Sequence, residues 1–107
     1  MNKMNLPEVI SDLVKAQDSF DSRGYANCFT ETAVVFDEGR TYTGKGEIKN
    51  WIEKANSEYK VTMKPLEYSD GEKTLKAEIS GSFPGSPVVL TYRYEFKNDL
   101  IQSLKIV

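Results

Sequence analysis

Between Leu75 and Phe96 the chain alternates apolar and polar residues, interrupted only at Phe83, Pro84, Gly85, Ser86 and Pro87. Leu75, Ala77, Ile79, Gly81 and Phe83 share one parity, and Lys76, Glu78, Ser80 and Ser82 the other. After the interruption Val88, Leu90, Tyr92, Tyr94 and Phe96 alternate with Val89, Thr91, Arg93, Glu95 and Lys97. Successive side chains of a strand point to opposite faces, so this period predicts a long hairpin with one face buried and one wet. Everything of helical period lies before it, which predicts a sheet wrapped around or beneath helices. The pattern constrains architecture and names no reaction.

The helices can be placed by their stripes. Leu6, Val9, Ile10, Leu13, Val14, Gln17 and Phe20 recur at the three-and-four spacing of an amphipathic helix. Asn5 followed by Glu8 resembles a capping box, and Pro7 is harmless in a first turn, where its missing N–H has no partner to lose. Gly24 predicts a break. Tyr25, Cys28 and Phe29 predict a second helix of two turns, and a third opens at Glu47 with Ile48, Trp51, Ile52 and Ala55 as its apolar stripe.

Short strands fill the rest. Ala33–Asp37 and Arg40–Thr43 flank Asp37-Glu38-Gly39, where Gly39 can adopt the positive φ of a hairpin turn. Tyr59, Val61, Met63 and Pro65 share a parity that Leu66 and Tyr68 reverse, which predicts a bulge near Pro65 or an edge strand, where a missing donor does no harm. Asp70-Gly71 and Asn98-Asp99 read as hairpin turns, and Leu100–Val107 closes the sheet with Leu104 and Ile106 on one side.

Composition removes whole classes of function. The 107 residues suit one compact domain, 1–107, with enough apolar content (39%) for a core that needs no staple. A net charge of -2 with interspersed signs offers no basic field for phosphates, so no nucleic-acid partner is expected. Cys28 is the only cysteine, which excludes an internal disulfide and a cysteine zinc site and suits a reducing compartment. Histidine is absent, which excludes histidine general bases and most transition-metal centres, so neither metal nor cofactor is expected. Met1–Pro7 lacks the apolar run of a signal peptide, and the longest apolar stretch, Ala33–Phe36, is far too short to span a bilayer. No membrane partner is expected, and the location expected is the cytoplasm.

Helix, helix, two short strands, helix and a four-stranded meander resemble the SnoaL-like branch of the nuclear transport factor 2-like superfamily. The resemblance rests on Phe29 with Thr32–Phe36, on Asp37, Gly39, Tyr42, Gly44, Ile48 and Trp51, on Ser80–Pro87 with the alternation to Phe96, and on Ile101, Leu104 and Ile106. It implies an α+β, cystatin-like fold: a cone-shaped, curved, mostly antiparallel sheet wrapped around about three N-terminal helices. That fold hosts isomerases, cyclases, dehydratases, epoxide hydrolases and transport factors, so it does not by itself imply an activity.

Asp37 is the carboxylate singled out. It shares the parity of Val35, and the resemblance implies a position at the mouth of the cone, where ketosteroid-isomerase relatives use an aspartate to shuttle a proton beside a carbonyl. Burial would raise its pKa and make it a usable base. Equally, Asp37 begins a turn, where an aspartate caps backbone N–H groups. The oxyanion-stabilising tyrosine of those isomerases falls by gapless carry-over on Leu13, and their acid roughly on Tyr92, which is left as the hydrogen-bond donor beside Asp37. The aspartate–histidine pair of SnoaL-type aldol cyclases has no counterpart, and Arg93 has the wrong parity for the arginine of the epoxide hydrolases.

Three functions are therefore expected in turn. The first is binding of a small, mostly apolar molecule in the cone, lined by Leu13, Gln17, Tyr42, Trp51, Leu90 and Tyr94. The second is a proton-transfer isomerase, cyclase or dehydratase with Asp37 as base and Tyr92 as polariser. The third is a non-catalytic homodimer module, since relatives pair through the outer sheet face, here Val89, Thr91 and Val107 among Lys76, Glu78, Arg93, Glu95 and Lys97. Asp18 and Asp21, three residues apart, read as a solvated helix end rather than a cation site, and Cys28 as a buried inert thiol.

Overall fold

The computed structural model describes residues 6–107. In chain order it comprises α1 (Glu8–Asp18), α2 (Ser22–Ala26), β1 (Phe29–Asp37), β2 (Arg40–Thr43), α3 (Gly44–Tyr59), β3 (Thr62–Ser69), β4 (Thr74–Ser80), β5 (Val88–Lys97) and β6 (Leu100–Ile106). The six strands form one sheet in the order β2-β1-β6-β5-β4-β3. The pair β1/β6 is parallel and every other pair antiparallel. The three helices lie before or between the first strands and cover one face. Among the described residues no helix is long and apolar enough to cross a membrane.

The alternation from Leu75 onward does what its period requires. Leu75, Ala77, Ile79, Tyr92 and Tyr94 are buried while Lys76, Val89, Arg93, Glu95 and Lys97 are exposed. The inner residues join Ile10, Leu13, Phe29, Val35, Ile48, Ile101 and Leu104 in a single core cluster. Each large side chain fully enclosed in it contributes roughly 1.5–3 kcal/mol through apolar area removed from water. Two turns, Glu38-Gly39 and Asn98-Asp99, have positive φ at both central residues, the conformation that matches the right-handed twist of the strands they join. The bulge expected near Pro65 lies between Pro65 and Glu67, on a strand that is also the sheet edge.

Several boundaries depart from expectation. Asn5 lies outside the described residues; α1 begins after Pro7, whose carbonyl receives the N–H groups of Ile10 and Ser11 at 3.0 Å. The helix ends earlier than its stripe suggests. Phe20 leaves it with φ 55°, Asp21 N–H reaches Ala16 O (2.8 Å), Phe20 N–H reaches Gln17 O (3.1 Å), and the Phe20 ring is exposed. These paired bonds close a helix end even without the usual glycine. Gly24 is not a break but part of α2. Its N–H donates to the Asp21 carboxylate at 3.0 Å, and a Cβ there would sit 2.5 Å from Asp21 Oδ2. Phe29 opens β1 instead of ending α2, because the chain here pairs with β6: Phe29 lies opposite Ile101, whose N–H donates to the Cys28 carbonyl at 2.9 Å. Between Phe29 and Val34 the register of β1 slips against β6, and Gln102 spans the slip: its Oε1 accepts from Thr30 Oγ1 at 2.7 Å.

Candidate functional site

Strand pairing places three residues in one row across the sheet: Asp37 lies opposite Ile106, and Ile106 opposite Tyr92. Paired residues share a face, so the carboxylate and the phenol look to the same side, two strands or about 10 Å apart along the sheet. The next row inward is Val35, Leu104 and Tyr94. That inner row is closed by packing, whereas the outer row borders a cavity of about 640 Å³ between the concave sheet and α3. Ile52 from α3, Met63, Ile79, Val88 and Leu90 form its apolar wall, and Arg40, Lys54 and Glu58 bring charge to its wall.

Aromatic rings organise the end near Asp37. Tyr42 stacks on Trp51 with centroids 5.4 Å apart, and Tyr25 meets the same indole edge-on at 6.1 Å. Tyr25, Asp37, Tyr42, Trp51 and Tyr92 all line the cavity. Partial burial raises the Asp37 pKa, the neighbouring Glu38 charge adds to the rise, and the Trp51 indole N–H, which favours the carboxylate, works against it. Burial pushes the Tyr92 phenol well up, and the Asp37 charge pushes it further. Tyr25 is raised by burial first, then by Tyr92, Tyr94, Cys28 and Asp37. Both phenols are therefore protonated donors at neutral pH, beside a carboxylate made more basic than usual. Such a set can hold a carbonyl oxygen and exchange a proton with the carbon next to it.

The opposite part of the wall carries Gln17, which is only 3% exposed. Its amide Nε2 donates to Asn56 Oδ1 at 2.7 Å and to the Val61 carbonyl at 2.6 Å. The next residue, Asp18, accepts the Met63 N–H at 2.8 Å. The end of α1 is thereby tied to α3 and to the start of β3.

Six of the eight residues singled out from the sequence line the cavity: Asp37, Tyr92, Gln17, Tyr42, Trp51 and Leu90. Leu13 and Tyr94 do not, and their expected lining role is corrected. Leu13 is wholly enclosed on the sheet-facing side of α1, and Tyr94 belongs to the inner row, stacked on Phe96 at 5.7 Å. Asp37 is also no simple turn residue, since its own side chain faces the cavity wall while the turn is made by Glu38 and Gly39. Asp18 and Asp21 are both exposed, as a solvated helix end requires, and each also accepts a backbone N–H; no group of three or more carboxylates or thiols among the described residues could hold a metal. The Cys28 thiol is buried and raised to about 11, chiefly by that burial. Tyr25 is a cavity-lining residue that the sequence pattern does not single out. Its signal was a phenol on an apolar stripe, a group whose hydroxyl needs a destination when the ring is buried.

A curved sheet over three helices, open at one end to an aromatic-lined cavity, is the architecture of the nuclear transport factor 2-like and cystatin-like folds. The comparisons agree. A putative polyketide cyclase from Sinorhizobium meliloti superimposes with a TM-score of 0.91 and 35% identity, over 100% of both chains. A protein of ketosteroid isomerase-like fold from Catenulispora acidiphila, solved with trimethylamine, gives a TM-score of 0.83 at 19% identity, over 96% of this chain and 86% of its own. A cystatin-fold protein from Novosphingobium aromaticivorans gives 0.80 at 14% identity, over 98% and 99%. No family model and no curated protein matches the sequence. The chain belongs to the nuclear transport factor 2-like superfamily, in its SnoaL-like branch.

Proposed function

We propose that the cavity binds a small, mostly apolar carbonyl compound and that Asp37 moves a proton at the carbon beside its carbonyl. The observation that supports this reading is the coincidence, at one end of an apolar hollow, of a partly buried carboxylate and two protonated phenols. Pockets of this kind orient a ligand with few polar groups set in an apolar wall. Tyr25 and Tyr92 would hold the carbonyl oxygen as charge develops on it. Asp37 would take the α-proton and return it. No histidine is available for an aspartate–histidine cyclase, so a ring-closing reaction like that suggested for the Sinorhizobium relative would have to run on Asp37 and the phenols.

The proton-transfer step can be read without knowing the natural substrate. 2-Acetonaphthone in D2O exchanges its acetyl protons slowly, and proton NMR follows the loss of the signal. The protein should accelerate that exchange, and Asp37→Asn should remove about 100-fold or more of the acceleration, the usual scale for a positioned general base. Equal rates for the two proteins would eliminate Asp37 as base. The apolar-ligand reading would stand if binding of the ketone persisted.

A further inference from the structure

The Gln17 side chain carries more information than its place in the wall. An amide can be turned over, but here the backbone decides. Nε2 lies 2.6 Å from the Val61 carbonyl, an oxygen that can only accept, so the nitrogen must be the atom facing it. The second Nε2 hydrogen then goes to Asn56 Oδ1 at 2.7 Å. Both donors of Gln17 are spent inside the protein. Its remaining group is Oε1, for which no donor is found among the described residues, in a side chain that forms part of the cavity wall. The arrangement fixes Asn56 in turn, leaving Asn56 Nδ2 buried without a partner.

From this geometry we infer that Gln17 Oε1 selects ligands bearing a hydroxyl or amine N–H remote from the carbonyl that Asp37 and the tyrosines engage. The inference rests on the carbonyl-binding reading above and adds a second recognition point to it. A buried amide with both hydrogens committed cannot turn to donate, because turning would set Oε1 against the Val61 carbonyl and break the bond to Asn56 as well. The position thus accepts and cannot adapt. An ether or ketone at the same place would oppose oxygen to oxygen, whereas a hydroxyl or amine supplies the hydrogen that Oε1 lacks. The ligand class that follows is an apolar skeleton with an acceptor at one end and a donor at the other, such as a hydroxy-ketone of roughly bicyclic size or larger.

The test uses four probes of one skeleton: 2-acetonaphthone and its 6-hydroxy, 6-amino and 6-methoxy derivatives, titrated against the wild-type protein by ligand fluorescence or calorimetry. The hydroxy and amino compounds should each bind roughly 5-fold or more tightly than the methoxy compound, the scale of one neutral hydrogen bond in a desolvated site. Gln17→Leu should bring the three to parity while leaving 2-acetonaphthone itself bound. Should that variant not fold, the wild-type series still decides. Equal binding of all four probes would overturn the Gln17 inference and keep the carbonyl reading. A preference for the hydroxy compound alone would overturn it too, since it would report phenol acidity rather than a donor requirement. Failure of every probe to bind would overturn the carbonyl reading, and the Gln17 inference with it.

Discussion

Two neighbouring rows of the same sheet, one residue pair apart, do different work. Val35, Leu104 and Tyr94 make the inner row, and Asp37, Ile106 and Tyr92 the outer one. Both rows use β1, β6 and β5, both obey the same alternation, and each contains a tyrosine. In the inner row every residue is at most 3% exposed and belongs to the core cluster. The outer row borders the cavity along its whole length. Period two decides which face a residue occupies; distance along the strand decides whether helix packing reaches it. Removing volume from each row would break this comparison most sharply. Leu104→Ala should cost about 2–5 kcal/mol in urea unfolding, because truncation leaves a hole in a close-packed interior. Ile106→Ala should cost less, about 1 kcal/mol, because its side chain already borders empty space and creates little new cavity surface. Equal losses would mean that the outer row is packed like the inner one and that the hollow does not exist in solution.

The two tyrosines sharpen the contrast at a smaller scale. Tyr94 Oη is buried with no hydrogen-bond partner among the described residues. A polar group enclosed in that way costs stability that its removal returns. Tyr94→Phe should therefore raise stability by about 1 kcal/mol, measured as an upward shift of the urea midpoint at constant m. Tyr92→Phe should leave the midpoint nearly unchanged and weaken 2-acetonaphthone binding instead, since its hydroxyl serves the cavity. A Tyr94→Phe protein that is less stable than wild type would show that its hydroxyl finds a partner after all.

The same contrast explains which parts of the molecule were legible in the sequence. The hairpin faces were readable because Leu75, Ala77 and Ile79 on one side and Lys76 and Glu78 on the other leave only one way to bury apolar area. Glu38-Gly39 and Asn98-Asp99 were readable because turn chemistry is local. The start of β1 was not. Phe29 is apolar at a spacing that also suits α2, and only its pairing with Ile101, 72 residues later, settles the matter. Depth in the cone was invisible for the same reason. Tyr92 and Tyr94 have identical parity, so nothing local says that one lines a hollow and the other is sealed. Leu13 is suggested for the lining only by gapless carry-over onto a family position, whereas Tyr25, on a five-residue helix too short to give a periodic signal, reaches the cavity in its place.

The smallest effect belongs to the titration of Asp37, and its sign is fixed by the structure. Burial, then Glu38, raise its folded-state pKa above the ordinary carboxylate value, with only the Trp51 N–H opposing. The folded protein therefore holds this proton more tightly than the unfolded chain does. Stability from this group is fully present below the unfolded pKa and is lost as pH rises through the raised folded value. At neutral pH the ionised carboxylate is a net cost, which a neutral side chain of the same shape avoids. Asp37→Asn should accordingly melt slightly above wild type at neutral pH, and the gain should shrink to nothing as pH falls below the ordinary aspartate range. Proton exchange of 2-acetonaphthone should show the complementary trend in the wild-type protein, rising with pH across the same window as the base ionises. A variant that is less stable at neutral pH would mean that Asp37 is held by favourable partners as a structural ion, and a base so stabilised would be too weak to remove a proton beside a ketone.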